Sequence, residues 1–192
     1  MQIREEINQL IQELSSDDKE VAADACDSVQ LLLQATNTSS EDPHLMQDYF
    51  RQMLPDQYHG IALSDAEVDE ITKSLLRQLD GPPQVVSRVA GGLRYSARPH
   101  AVARIAQALR RYMGRDGHTS RQLMFALDEL ISVLIATGHQ RRLTAEEDAY
   151  IADACAVLRE AAEKAVDEKT KLTAAEQLEV MAGRVNSIGR SC

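Results

Sequence analysis

The sequence predicts an all-α fold of eight or nine helices with no sheet, and three observations carry that prediction. Apolar residues recur at i, i+3, i+4 and i+7 along most of the chain, which is the spacing of one buried helix face. Aromatic residues are scarce, with two Phe, five Tyr and no Trp in 192 residues, whereas strand-built sandwiches and barrels draw on aromatic and β-branched side chains. No segment reads as a strand: Val85-Val86 is too short and stands between Pro83 and Gly91-Gly92. With 44% hydrophobic and 27% charged residues, the composition is that of a folded globular chain rather than a disordered or membrane-spanning one. The length suits one continuous domain or two small lobes.

The elements follow in order. Ile3, Ile7, Leu10, Ile11 and Leu14 form the first amphipathic stripe. Ser15 or Ser16 is expected to cap a second helix that carries Asp17, Asp18 and Glu20 in its first turn and buries Val21, Ala22, Ala25, Val29, Leu32 and Leu33. A loop over Asn37–Ser40 leads to Pro43, which opens a third helix bearing Leu45, Met46, Tyr49, Phe50 and Met53; Pro55 closes it. Three capping boxes announce further starts, at Ser64…Glu67, Thr144…Glu147 and Thr173…Glu176. Gly81, Gly114 and Gly138 stand where helices are expected to stop in a left-handed residue. The break Gly81-Pro82-Pro83 divides an acidic lobe, 1–81, from an Arg-rich and C-terminal lobe, 82–192. Leu123 to Ile135 is apolar around most of its circumference and is expected to be the central helix.

The stretch Pro99–Arg111, with Val102, Ala106 and Leu109, resembles the second helix of a HEAT repeat, and Ser15–Leu33, with Val21, Ala25 and Val29, is loosely similar. The resemblance to HEAT or armadillo-like helical repeats covers about two helices, and it implies a short irregular helical array as one form of the fold. The other is an ordinary helical bundle. Val21, Val68, Val102 and Ile151 are not evenly spaced, and in place of the Arg that usually follows the Val stand Ala22 and Ala103.

Charge is distributed unevenly. Residues 1–80 hold 5 basic and 17 acidic side chains, residues 81–142 hold 10 and 3, and residues 143–192 hold 6 and 10. All ten basic residues of the middle segment are Arg, whose planar fork matches carboxylates and phosphates better than Lys does. His100, Arg104, Gln107 and Arg111 share one helix face opposite Val102, Ile105 and Leu109, with Arg110 and Arg115 beside the row. Two readings stand: the segments neutralise each other internally, with Glu20, Asp24 and Asp27 as suitable acids, or these six residues form a partner-binding surface. Tyr95 and Tyr112 are the two side chains near the arginines able to stack on a base.

Chemistry-bearing motifs are few. Glu41…His44 and Asp56…His59 place an acid three residues before a His, as di-iron bundles do, but Pro43 and Pro55 keep both out of a helix interior. Loop or capping roles are expected, with no metal and no cofactor. Asp128 and Glu129, on the central helix, are expected to pair with Arg. Gly91-Gly92 reads as a helix terminus or kink. The three cysteines, Cys26, Cys155 and Cys192, are widely spaced. Cys26 and Cys155 are expected to be buried thiols, Cys192 a frayed and exposed one, in a reducing cytoplasm. The longest apolar run is far short of a membrane span, and the N-terminal residues lack the apolar core of a signal peptide. The expectation is a non-enzymatic interaction module, such as an adaptor, inhibitor or assembly subunit, with another protein as partner. The alternative is a nucleic-acid-associated protein using the arginines of 88–142.

Overall fold

A computed structural model describes residues 2–38 and 43–192. Among them are nine α-helices and no strand. The chain divides into two compact units, Met1–Ser96 and Ala97–Cys192. The Gly81-Pro82-Pro83 break thus separates two helices of the first unit, and the division between units falls after Ser96. Ala97 lies there in the left-handed region with φ 52°, a conformation that costs a residue with a Cβ about 1–2 kcal/mol.

The first unit holds α1 (Gln2–Leu14), α2 (Lys19–Asn37), α3 (Pro43–Met53), α4 (Asp65–Gln78) and α5 (Pro83–Arg94). A 3₁₀ turn at Asp56–Tyr58 follows α3. Helix α2 is the hub, packed by α1, α3 and α5, while α4 lies on α5 and α1. Its core joins Ile7 and Leu14, Ala25, Val29 and Leu33, Ile71 and Leu75, and Val86, Val89 and Leu93. The helix starts at Asp18, not at a serine: the Asp18 carboxylate accepts the backbone N–H groups of Glu20 and Val21, and Ser16 Oγ accepts that of Asp18. Val21 accordingly falls off the buried stripe and is 39% exposed. The α2 helix runs on through Asn37, with Thr38 as its C-cap; Ser39, Ser40 and Glu41 lie outside the described residues.

Helix α3 departs most from expectation. Its apolar residues line up as read, yet Leu45, Met46, Tyr49 and Met53 are exposed, all but Met46 by more than half. The glycine pair lies in the last turn of α5, which ends at Arg94. It is a close approach: Cβ atoms there would press on Gln30 and Leu75, so both glycines let α5 settle against α2 and α4.

The second unit opens with a 3₁₀ turn at Pro99–Ala101 and continues as α6 (Val102–Tyr112), α7 (Gly117–Gln140), α8 (Ala145–Lys164) and α9 (Glu168–Ser187). Contacts run from α6 to α7, α7 to α9, α9 to α8 and α8 back to α6, the closed ring of a four-helix bundle with short connections. Helix α7 was expected to be the one the others pack around; in the closed ring it is instead one of four walls, with Phe125 exposed. It buries Leu123, Met124, Leu127, Leu130, Ile131, Leu134 and Ile135.

Capping explains the helix starts. Thr144 Oγ1 accepts the Glu147 N–H at 3.2 Å while Glu147 accepts that of Thr144 at 2.8 Å, and Glu67 likewise accepts the Ser64 N–H. The box expected at Thr173 does not form. Asp167 caps α9 instead, accepting the Thr170 N–H at 2.8 Å, and Thr173 lies inside the helix with its hydroxyl on Lys169 O. Nor are Gly81, Gly114 and Gly138 left-handed. The glycines with positive φ among the described residues are Gly60 and Gly189. Gly138 is internal to α7, where Ile188 rests against it.

Candidate functional site

Helix α6 has two unlike sides. Val102, Ile105, Ala106, Ala108, Leu109 and Tyr112 are buried against α7 and α8. On the other side His100, Arg104, Gln107, Arg110 and Arg111 are all exposed, as is Arg115 in the turn that follows. Pro99 fixes the entry by opening the 3₁₀ turn that carries His100. From Arg104 to Arg111 the row extends for about 10 Å at 1.5 Å per residue, and His100 precedes it on the 3₁₀ turn rather than on the helix.

The Arg110 guanidinium is directed to α8. Nη2 donates to Asp153 at 2.9 Å and Nε to Glu160 at 3.1 Å, tying α6 to α8. The arginines with the clearest acidic partners are satisfied inside their own unit. Arg88 lies 3.0 Å from Asp27 and 3.5 Å from Asp24. Arg121 Nη1 donates to Thr170 Oγ1 and approaches Asp167, and Arg141 pairs with Glu147 at 2.6 Å. Asp24 and Asp27, suitable on paper for Arg104 and Arg111, are therefore engaged by Arg88. The units also differ in charge: residues 1–96 carry 7 basic and 17 acidic side chains, residues 97–192 carry 14 and 13.

The base-stacking candidates have other surroundings. Tyr112 is buried in the core of its unit. Tyr95 packs near Phe50, with the Arg94 guanidinium 5.3 Å from its ring centre.

Asp128 pairs with Arg184 of α9 at 3.2 Å, and Arg184 also donates to Ser132 Oγ. The expected Asp128–Arg pair forms, but its arginine comes from outside the 88–142 segment. His59 Nε2 meets the Leu54 carbonyl at 2.9 Å, a loop-closing contact. Glu41 lies outside the described residues. Among the described residues, no three His, Cys, Asp or Glu side chains are grouped to hold a metal ion, and no helix is long and apolar enough to cross a membrane.

The cysteines are not three free thiols. Cys155 and Cys192 form a disulfide, with Cα atoms 5.4 Å apart, and Cys26 alone is free. Cys192 is half-buried rather than frayed. The inference of a reducing compartment, which rested on three unpaired thiols, loses that support. Burial pushes the Cys26 thiol up to about 12, so it stays protonated at neutral pH.

The chain matches no protein-family model, no curated protein and no solved structure.

Proposed function

We propose that the protein is a non-enzymatic helical interaction module, an adaptor, inhibitor or assembly subunit, that binds an acidic surface of another protein through the outer face of α6. The observation that carries this reading is the opposition of the two sides of α6, one wholly buried and the other presenting His100, Arg104, Gln107 and Arg111 in a row with Arg115 beyond. Arginine forks on a rigid helix offer paired, planar contacts to carboxylates and lose little freedom on binding. Arg110 anchors this face to α8 through Asp153 and Glu160. A protein partner fits better than nucleic acid because Tyr112, the tyrosine on α6 itself, is buried in the core and offers no stacking platform.

The test is the double variant Arg104→Glu with Arg111→Glu. It should melt near the wild type and lose its co-purifying protein, with cross-links to that protein mapping to 100–115 in the unaltered chain. Loss of bound RNA or DNA with a steep salt dependence would transfer the reading to nucleic-acid association, because phosphate contacts release counterions. A well-folded double variant that keeps every partner would end the proposal.

A further inference from the structure

We propose that Cys155–Cys192 is a thiol-exchange site for a low-molecular-weight thiol of the glutathione class, with Cys192 as the exchanging sulfur and the segment 188–192 as the strap that exchange releases. This stands apart from the α6 reading and does not depend on it.

The strap is built by contacts other than the disulfide. Helix α9 ends at Ser187, and Gly189, with φ 70°, reverses the chain. Arg190 N–H then bonds the Val185 carbonyl at 3.2 Å, the six-to-one bond of a Schellman cap. Ile188 fits against Gly138 so closely that a Cβ there would meet its Cδ1 at 2.9 Å. Arg190 Nε donates to Asp148 at 2.6 Å. These contacts bring Cys192 back to the middle of α8, beside Cys155.

The two sulfurs differ in access, and access decides which one a thiolate can strike. Cys155 is 1% exposed and lies in the bundle core with Met181 Sδ 3.9 Å from its sulfur. Cys192 is half-buried. A small thiolate RS⁻ therefore attacks Cys192 Sγ. The bond from R–S to Cys192 forms, the Cys155–Cys192 bond breaks, and Cys155 leaves as a thiolate. A second RS⁻ attacks the R–S sulfur, yielding RSSR and the Cys192 thiolate, so two electrons pass from two small thiols to the protein disulfide. In reverse, RSSR loads Cys192, the strap folds back onto α8, and the Cys155 thiolate attacks Cys192 Sγ and displaces RS⁻. Cys26, fully buried in the other unit, takes no part.

The experiment equilibrates the full chain in a series of reduced-to-oxidised glutathione ratios, followed by acid quench, alkylation, peptide mapping and amide hydrogen exchange. At the oxidised end the 155 and 192 peptides should be linked, with Cys26 alkylated only after denaturation. At intermediate ratios glutathione should appear on Cys192 and not on Cys155. On full reduction, exchange in 188–192 should speed up at least tenfold while α6 is unchanged. Cys155→Ala should hold Cys192 as a lasting mixed disulfide. If that variant fails to fold, Cys192→Ser should show strap exchange equal to that of the reduced wild type. Three alkylatable thiols in the denatured oxidised protein would overturn the proposal, as would glutathione on Cys155, or equal protection of the strap in both states.

Discussion

The Asp167 carboxylate, which caps α9, occupies the place where a Cβ on residue 117 would stand, so Gly117 and Asp167 lock the first turns of α7 and α9 together. Thr170 sits in the same knot: its hydroxyl donates to the Gly117 carbonyl and receives Arg121 Nη1. Gly117→Ala should therefore force Asp167 off its cap. Overpacking and a lost cap each cost about 1–2 kcal/mol, so a urea melt should show a loss of at least about 1 kcal/mol. Gly183, inside α9 with open space around its Cα, is the opposite case. Gly183→Ala should raise stability by about 1 kcal/mol, the helix-propensity difference alone.

Helix α7 makes a second contrast measurable. Leu127 and Leu130 are fully buried, and cutting either to Ala should cost about 2–5 kcal/mol. Leu172, exposed on α9, should change stability by less than about 0.5 kcal/mol on the same substitution. Leu31, half-buried and one position off the stripe of α2, should also cost much less than Leu127. Equal losses for buried and exposed leucines in denaturant melts would remove α7 from the core of its bundle.

Local chemistry was legible in the sequence, and distant pairing was not. The boxes at Ser64 and Thr144 form because each needs only residues three apart. The one at Thr173 fails because Asp167 starts the same helix earlier and already serves the Thr170 N–H. Periodicity found the apolar face of α3 but carries no information on whether a neighbour covers it, and Tyr49 and Met53 remain exposed. Glycine identity was read as a stop signal at Gly81, Gly114 and Gly138, whereas backbone reversal occurs at Gly189. At the candidate site, the exposed row of α6 was visible as the complement of Val102, Ile105 and Leu109. The acids that hold Arg110 lie 43 and 50 residues away, and Cys192 lies 37 from Cys155. No spacing rule reaches so far.

Acid should weaken the start of α8. The Arg141 guanidinium, and then the Thr144 backbone N–H, hold the Glu147 carboxyl down at about 2, below its ordinary 4.5. A depressed folded-state value means the unfolded chain binds the proton more readily, so this stabilisation is whole above about pH 4.5 and fades as pH falls towards 2. Carboxyl-detected NMR should place Glu147 near 2 in the folded protein. Glu147→Gln should flatten the dependence of stability on pH between 5 and 2. A Glu147 midpoint near 4.5 in the folded chain would show that neither partner engages it.

Arg110 supplies the sharpest separation between holding the fold together and holding a partner. Its guanidinium bridges Asp153 and Glu160 from a site about one-third exposed, where solvent screening limits a single ion pair to about 0.2–1 kcal/mol. Arg110→Met keeps the aliphatic stem and removes only the fork. It should lower stability by about 1 kcal/mol and leave partner affinity within about twofold. A double-mutant cycle with Asp153→Asn should return a coupling of about 0.5–1 kcal/mol in chemical denaturation, the signature of two groups that touch. The Arg104→Glu, Arg111→Glu pair should behave inversely, with melting preserved and binding lost. If Arg110→Met abolishes binding at unchanged stability, Arg110 belongs to the recognition row, and its bonds to α8 are exchanged for the partner's carboxylates on docking.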